Sequence, residues 1–141
     1  MQQQSATAMN SQEAIEKGLA GKTIAIVGLS SKPDSDSFHV GEYLQQHGYR
    51  IIPVNPKEER VLGETAYPSL REVPEKVDVV DVFRRPDAVP GIVSEAIEIG
   101  APLVWMQLGI VNEQAAQQAQ EAGLTVVMDH CMKIEHGLRH G

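Results

Sequence analysis

The chain has 141 residues, a size that suits one domain with a real core, and 42% of them are hydrophobic but only 4% aromatic, so the core is expected to be aliphatic. The net charge of −7 argues against a nucleic-acid binder or a membrane-surface protein, both of which present a basic face. A single cysteine, Cys131, excludes an internal disulfide and fits a reducing compartment, and no apolar run reaches the length of a membrane span, so a cytoplasmic protein is expected.

Residues 1–10 are polar and read as a frayed tail, leaving residues 11–141 as a single domain. Ser11 is placed to cap a short helix to about Gly18, with Ile15 and Leu19 four apart and Gly18 or Gly21 as the stop. Ile24, Ala25, Ile26 and Val27 form an unbroken apolar run, the pattern of a strand buried on both faces. Gly28 ends it, a loop of small and polar residues follows, and Val40, Tyr43, Leu44 and His47 fall at helical spacing. Tyr49–Val54 is a second strand around Ile51 and Ile52, although Pro53 conflicts with a central ladder position. A long polar connection, residues 57–76, carries turn signals at Gly63 and Pro68 and a short helix near Ser69–Glu72.

Val77–Phe83 is the third strand, and Asp78 and Asp81 within it suggest a less buried position near an edge. A helix then runs to about Ile99 and ends at Gly100. Pro102–Met106 is the fourth strand, Asn112 caps an Ala/Gln-rich helix ending at Gly123, and Leu124–Met128 is the fifth. Asp129 is a candidate cap for a last helix, Cys131–Leu138. Five strands alternating with helices predict an α/β, doubly wound parallel five-stranded sheet, with strand order 3-2-1-4-5 favoured and 2-1-3-4-5 as the alternative.

Ligands of such sheets bind beyond the carboxyl ends of the strands. The loops there hold Lys32, Lys57, Arg60, Arg84, Arg85 and Lys133, six of the twelve Lys and Arg in the chain. Gly28 allows close backbone approach, the helix start offers unpaired N–H groups, and Ser30, Ser31 and Lys32 add donors, which together suit a phosphate. Arg84-Arg85 is a sharper anion signal, because guanidinium forks grip phosphate in a bidentate way. The three-glycine dinucleotide fingerprint is missing, and Asn55 stands where an NAD-binding chain carries an acidic residue. Neither a catalytic constellation nor a metal-ligand spacing is evident. Cys131 sits at a strand end and helix start. It reads first as a small buried apolar side chain and second as a thiol able to form a mixed disulfide.

The segments IAIVGLSSKPD, GYRIIPVNPK, VDVVDVFRRP, LVWMQLGI and VVMDHCMKIEH, in that order and spacing, resemble the small bacterial CoA-binding proteins. Those have a Rossmann-like domain similar to the CoA-binding domain of the succinyl-CoA synthetase α subunit. The resemblance covers residues 22–136 and implies coenzyme A or an acyl-CoA as ligand. It implies that Gly28, Leu29, Ser30, Ser31 and Lys32 hold the CoA phosphates and that Asn55, Pro56 and Lys57 lie near the adenosine. Phe83, Arg84 and Arg85 would flank the adenine and phosphates, and Gln107 to Gly109 would floor the cleft. The mixed disulfide at Cys131 would then be with the CoA thiol. The pattern often carries Arg before that cysteine; here it is His130. A non-catalytic binding role is expected, with a protein partner left open, and an accessory ligase or transferase subunit and a nicotinamide-nucleotide sensor are the alternatives.

Overall fold

A computed structural model describes residues 7–140. Helix α1 (Gln12–Leu19) begins at Ser11, whose side chain accepts the N–H of Ala14. It lies against Trp105, and a Cβ at Gly18 would come within 2.6 Å of that ring. Gly18 is therefore a packing residue inside the helix and not its stop.

Strand β1 (Thr23–Val27) leads through the Gly28 turn to α2 (Asp36–Gln46), capped by Ser35. After β2 (Arg50–Val54), the polar connection folds into a small hairpin of β3 (Arg60–Val61) and β4 (Glu64–Thr65), followed by a single helical turn at Leu70–Glu72. Strand β5 (Val79–Val82), helix α3 (Val89–Glu98), strand β6 (Leu103–Met106), helix α4 (Glu113–Glu121), strand β7 (Thr125–Met128) and helix α5 (Met132–His140) complete the chain. The five long strands are all parallel. Helices α1, α2 and α5 cover one face of the sheet, and α3 and α4 cover the other.

The sheet order is β2-β1-β5-β6-β7. In terms of the five long strands this is 2-1-3-4-5, the alternative and not the favoured 3-2-1-4-5. The hairpin explains the choice. Behind it, Tyr67 donates its N–H to the Pro53 carbonyl (3.0 Å) and accepts the Asn55 N–H (2.8 Å). The outer edge of β2 is thus already occupied, and the next long strand adds on the far side of β1. Asp78 fixes it there by accepting the N–H groups of Lys22 and Thr23 at 2.9 and 3.0 Å. Those two bonds, Thr23 first, hold its carboxyl below the usual range. Pro53 is tolerated because, among the described residues, β2 has no further strand beyond it, only this short contact.

The placement of β5 near an edge is overturned: β5 is the central strand, and all four residues are buried. Asp81 lies between Ile26 and Trp105 in register, shares the α1/α2/α5 face with Val79, and is fully buried. Neither carboxylate oxygen has a hydrogen-bond partner among the described residues. Burial, with no partner to offset it, pushes this carboxyl well above its ordinary range.

Two further expectations change. The tail reading falls outside the described residues for residues 1–6. Asn10, however, is docked: its N–H donates to Val126 O, and its side chain accepts the Met128 N–H. Asp129 does not cap α5. It adopts positive φ and accepts the Gly109 N–H at 2.7 Å, while Gln107, reaching across from β6, accepts the Met132 N–H at 3.1 Å. Helix α5 is also seated by His136, whose Nδ1 is hydrogen-bonded to the Tyr43 hydroxyl at 2.8 Å. Burial, then His140 and His47, lowers the pKa of that imidazole.

Candidate functional site

The winding reverses between β1 and β5, so the turn after β1 and the segment after β5 flank the crevice where this topology places ligands. Their chemistry differs. In the β1–α2 turn, Gly28 has φ +94°, and a Cβ there would sit 2.3 Å from the Phe83 carbonyl oxygen. The glycine is required by the neighbouring strand, independently of any ligand. Its N–H donates to Val54 O. The Ser30 N–H donates to Ser37 Oγ and the Lys32 N–H to Ser30 Oγ. Ser31 donates both its N–H and its hydroxyl to Glu58, each at 2.9 Å. The turn is therefore largely satisfied by the protein's own groups. The first two N–H groups of α2, at Asp36 and Ser37, donate to no partner among the described residues.

Asn55 acts as a clamp between loops. Buried at the end of β2, it donates Nδ2–H to Leu29 O and accepts the Lys57 N–H, so its polar atoms face protein. The exposed Pro56 and Lys57 follow it.

The β5 end is different. Arg85 is exposed and paired with Asp87 at 3.2 Å. Arg84 is half-buried and has no carboxylate within ion-pair distance among the described residues. It lies where two cavities meet. The larger, about 740 Å³, opens between the start of α2 and the start of α5, over the ends of β5 and β6. Phe83, Arg84 and Arg85 form one wall, Gln107 and the adjacent Leu108 another, and Cys131 and Lys133 enter from the start of α5. The smaller, about 190 Å³, lies toward the α3 side of the sheet. Its walls include Val54, Pro56, Leu70 and Ile92, with Arg84 and Ser69 also lining it, and Glu95, whose carboxylate accepts the Leu70 N–H and pairs with Arg71.

The structure thus gathers Phe83, Arg84, Arg85, Gln107 and Cys131 into one cleft and puts Pro56 beside Arg84 in the second cavity. Gly28 to Lys32, Asn55, Lys57 and Gly109 line neither. Sequence reasoning missed His39 and Val40 of α2 and Ile110 and Ile134, all of which line the larger cleft. Ile134 was legible in principle, since it stands one helical turn from Cys131 and so shares its face.

Comparison with known proteins decides the family. Residues 22–137 match the model of a CoA binding domain. The chain belongs to that family. It is 47% identical to YneT, an uncharacterized protein of Bacillus subtilis, over 83% of this chain and 87% of that protein. It is 30% identical to the ADP-forming acetate–CoA ligase II of Archaeoglobus fulgidus, over 80% of this chain but 17% of the ligase. Among solved structures, a hypothetical protein from Pyrococcus horikoshii OT3 superposes with a TM-score of 0.89 at 44% identity, covering 93% of each chain. The family is thus met both as a small protein and as a segment of a much longer ligase. No helix of the described residues is long and apolar enough to cross a membrane.

Proposed function

We propose that this CoA-binding family member binds coenzyme A or an acyl-CoA across the carboxyl edge of the sheet, in the cytoplasm, without catalysing a reaction of its own. It would present the ligand to a partner or sense its level. The observation that carries this reading is Arg84, a half-buried guanidinium with no carboxylate partner among the described residues, standing where a small slot meets a larger cleft of mixed lining. A half-buried cation left unpaired is costly unless a ligand supplies the anion. CoA fits the shape of that need: a planar adenine for the slot beside Pro56, phosphates at the junction, and a pantetheine arm for the larger cleft. Arg85 and Lys133 add positive charge to the cleft, while Asp36 at its edge offsets part of it. The free N–H groups at the start of α2 supply further donors to an anion. Cys131, half-buried in the same cleft, lies on the side where the thiol end would reach.

The phosphate grip belongs to Arg84 first and to the β1–α2 turn second, because the turn's serine N–H groups are already committed. Calorimetric titration with CoA tests this. Arg84→Ala is expected to weaken binding by at least tenfold, the worth of one charge-assisted hydrogen bond, with the melting temperature little changed. NADH is expected not to displace CoA. Unaltered affinity in Arg84→Ala, or displacement by NADH at equal concentration, overturns the reading.

A further inference from the structure

Leu108 and Ile134 line the larger cleft yet remain 62% and 51% exposed. They come from different elements, the loop after β6 and the first turn of α5, and converge on the same space. Single exposed aliphatic side chains are ordinary on a protein surface. Two that face one cleft, next to the polar Gln107 and the thiol of Cys131, form the mixed lining of a ligand site. Val40, Phe83 and Ile110 extend the apolar wall between them. The cations of the cleft, by contrast, include the pair at the end of β5. One cavity therefore offers both charged donors and an unfilled aliphatic surface.

We infer that the larger cleft accommodates the acyl chain of a CoA thioester, with Leu108 and Ile134 packing against it; this rests on the CoA reading above. Free CoA ends in a thiol and leaves both side chains in water. A chain of several methylenes covers them. Burying each methylene strengthens binding roughly three- to fourfold until the apolar wall is used up.

The test is a series of affinities for CoA, acetyl-CoA, butyryl-CoA and hexanoyl-CoA, measured for the wild type, Leu108→Ser and Ile134→Ser. Both substitutions replace exposed side chains, so folding is not at risk. The expected result is affinity rising with chain length in the wild type, hexanoyl-CoA exceeding CoA by at least thirtyfold, and a ratio falling several-fold in each variant. A wild type that binds CoA with no dependence on chain length overturns the inference and leaves the CoA reading standing. Failure of every member of the series to bind removes the CoA reading itself. A chain-length dependence that survives both substitutions also overturns the inference, as does a dimer that dissociates in Leu108→Ser with the chain-length ratio unmoved. In that last case the pair belongs to an interface between copies.

Discussion

The turn after β1 and the segment after β5 lie side by side at the switch of the sheet, joined where the Phe83 carbonyl passes over Gly28. Both are rich in hydrogen-bonding groups. In the turn, three of the N–H groups reach side chains of the same chain, and a fourth reaches the β2 backbone. At the β5 end, Arg84 is left with no ion-pair partner among the described residues. Richness in donors does not distinguish a binding site from a well-built loop. What distinguishes them is which polar groups the fold leaves unsatisfied, because satisfying those is the free energy a ligand can supply.

The largest effect that separates the two regions is at Gly28. If its role is to let the strands approach, Gly28→Ala destabilises the protein by roughly 3–5 kcal/mol, since it combines a positive φ with a backbone clash. Denaturant unfolding measures this. A loss of CoA affinity with stability intact would instead make the glycine a ligand contact.

Next comes Asp81, the buried counterpart of Arg84. Its carboxyl is raised by burial, so the folded state holds a proton that the unfolded chain releases above about pH 4. Its contribution to stability is therefore complete below that pH and is lost as pH rises toward the folded value. Asp78 runs the other way. Its carboxyl is lowered, and its contribution is lost only on acidification below the ordinary carboxylate range. His136, lowered by burial, also loses stability on acidification, but nearer neutrality. Comparison of Asp81→Leu with the wild type isolates the first of these. The variant is expected to gain about 1–3 kcal/mol over the wild type at pH 8 and less at pH 4. An equal difference at both pH values would mean that folding leaves the Asp81 carboxyl unshifted.

These two aspartates also mark how far the sequence could be read. The alternation of strands and helices, the boundaries of most elements and the nomination of Arg84, Arg85 and Cys131 all follow from local pattern, because hydrophobic period and strand-end position are local properties. Asp78 and Asp81 look alike in VDVVDVF, and together they suggested an edge strand. Only the fold separates them: one begins the strand and ties it to β1, the other sits between Ile26 and Trp105 in the middle of the sheet. The strand order was illegible for a similar reason. It is set by the segment at Tyr67 closing the β2 edge, a contact made across a polar connection with little periodicity. Asn55 and the serines of the first turn read from the sequence as ligand contacts. Their partners, Leu29 O, Ser37 and Glu58, come from elsewhere in the loops, and spacing does not reveal that the demand is already met.

The smallest effect bears most directly on the contrast between the two regions. Glu58 offers a carboxylate to Ser31 in the geometry a phosphate oxygen would use. If the turn is a structural loop, Glu58→Gln keeps the acceptor oxygen, removes one negative charge near the site, and changes CoA affinity by no more than about threefold, as is usual for a charge at the surface. Most of that change should vanish at high salt, because screening acts on surface charges within a Debye length. If the carboxylate instead holds a phosphate position against the ligand, affinity rises tenfold or more and the gain persists in salt, since a bound competitor has been removed rather than a distant field. Calorimetry at two ionic strengths separates these outcomes. The second would return the turn to the role its sequence suggests, with Arg84 as its partner in the grip.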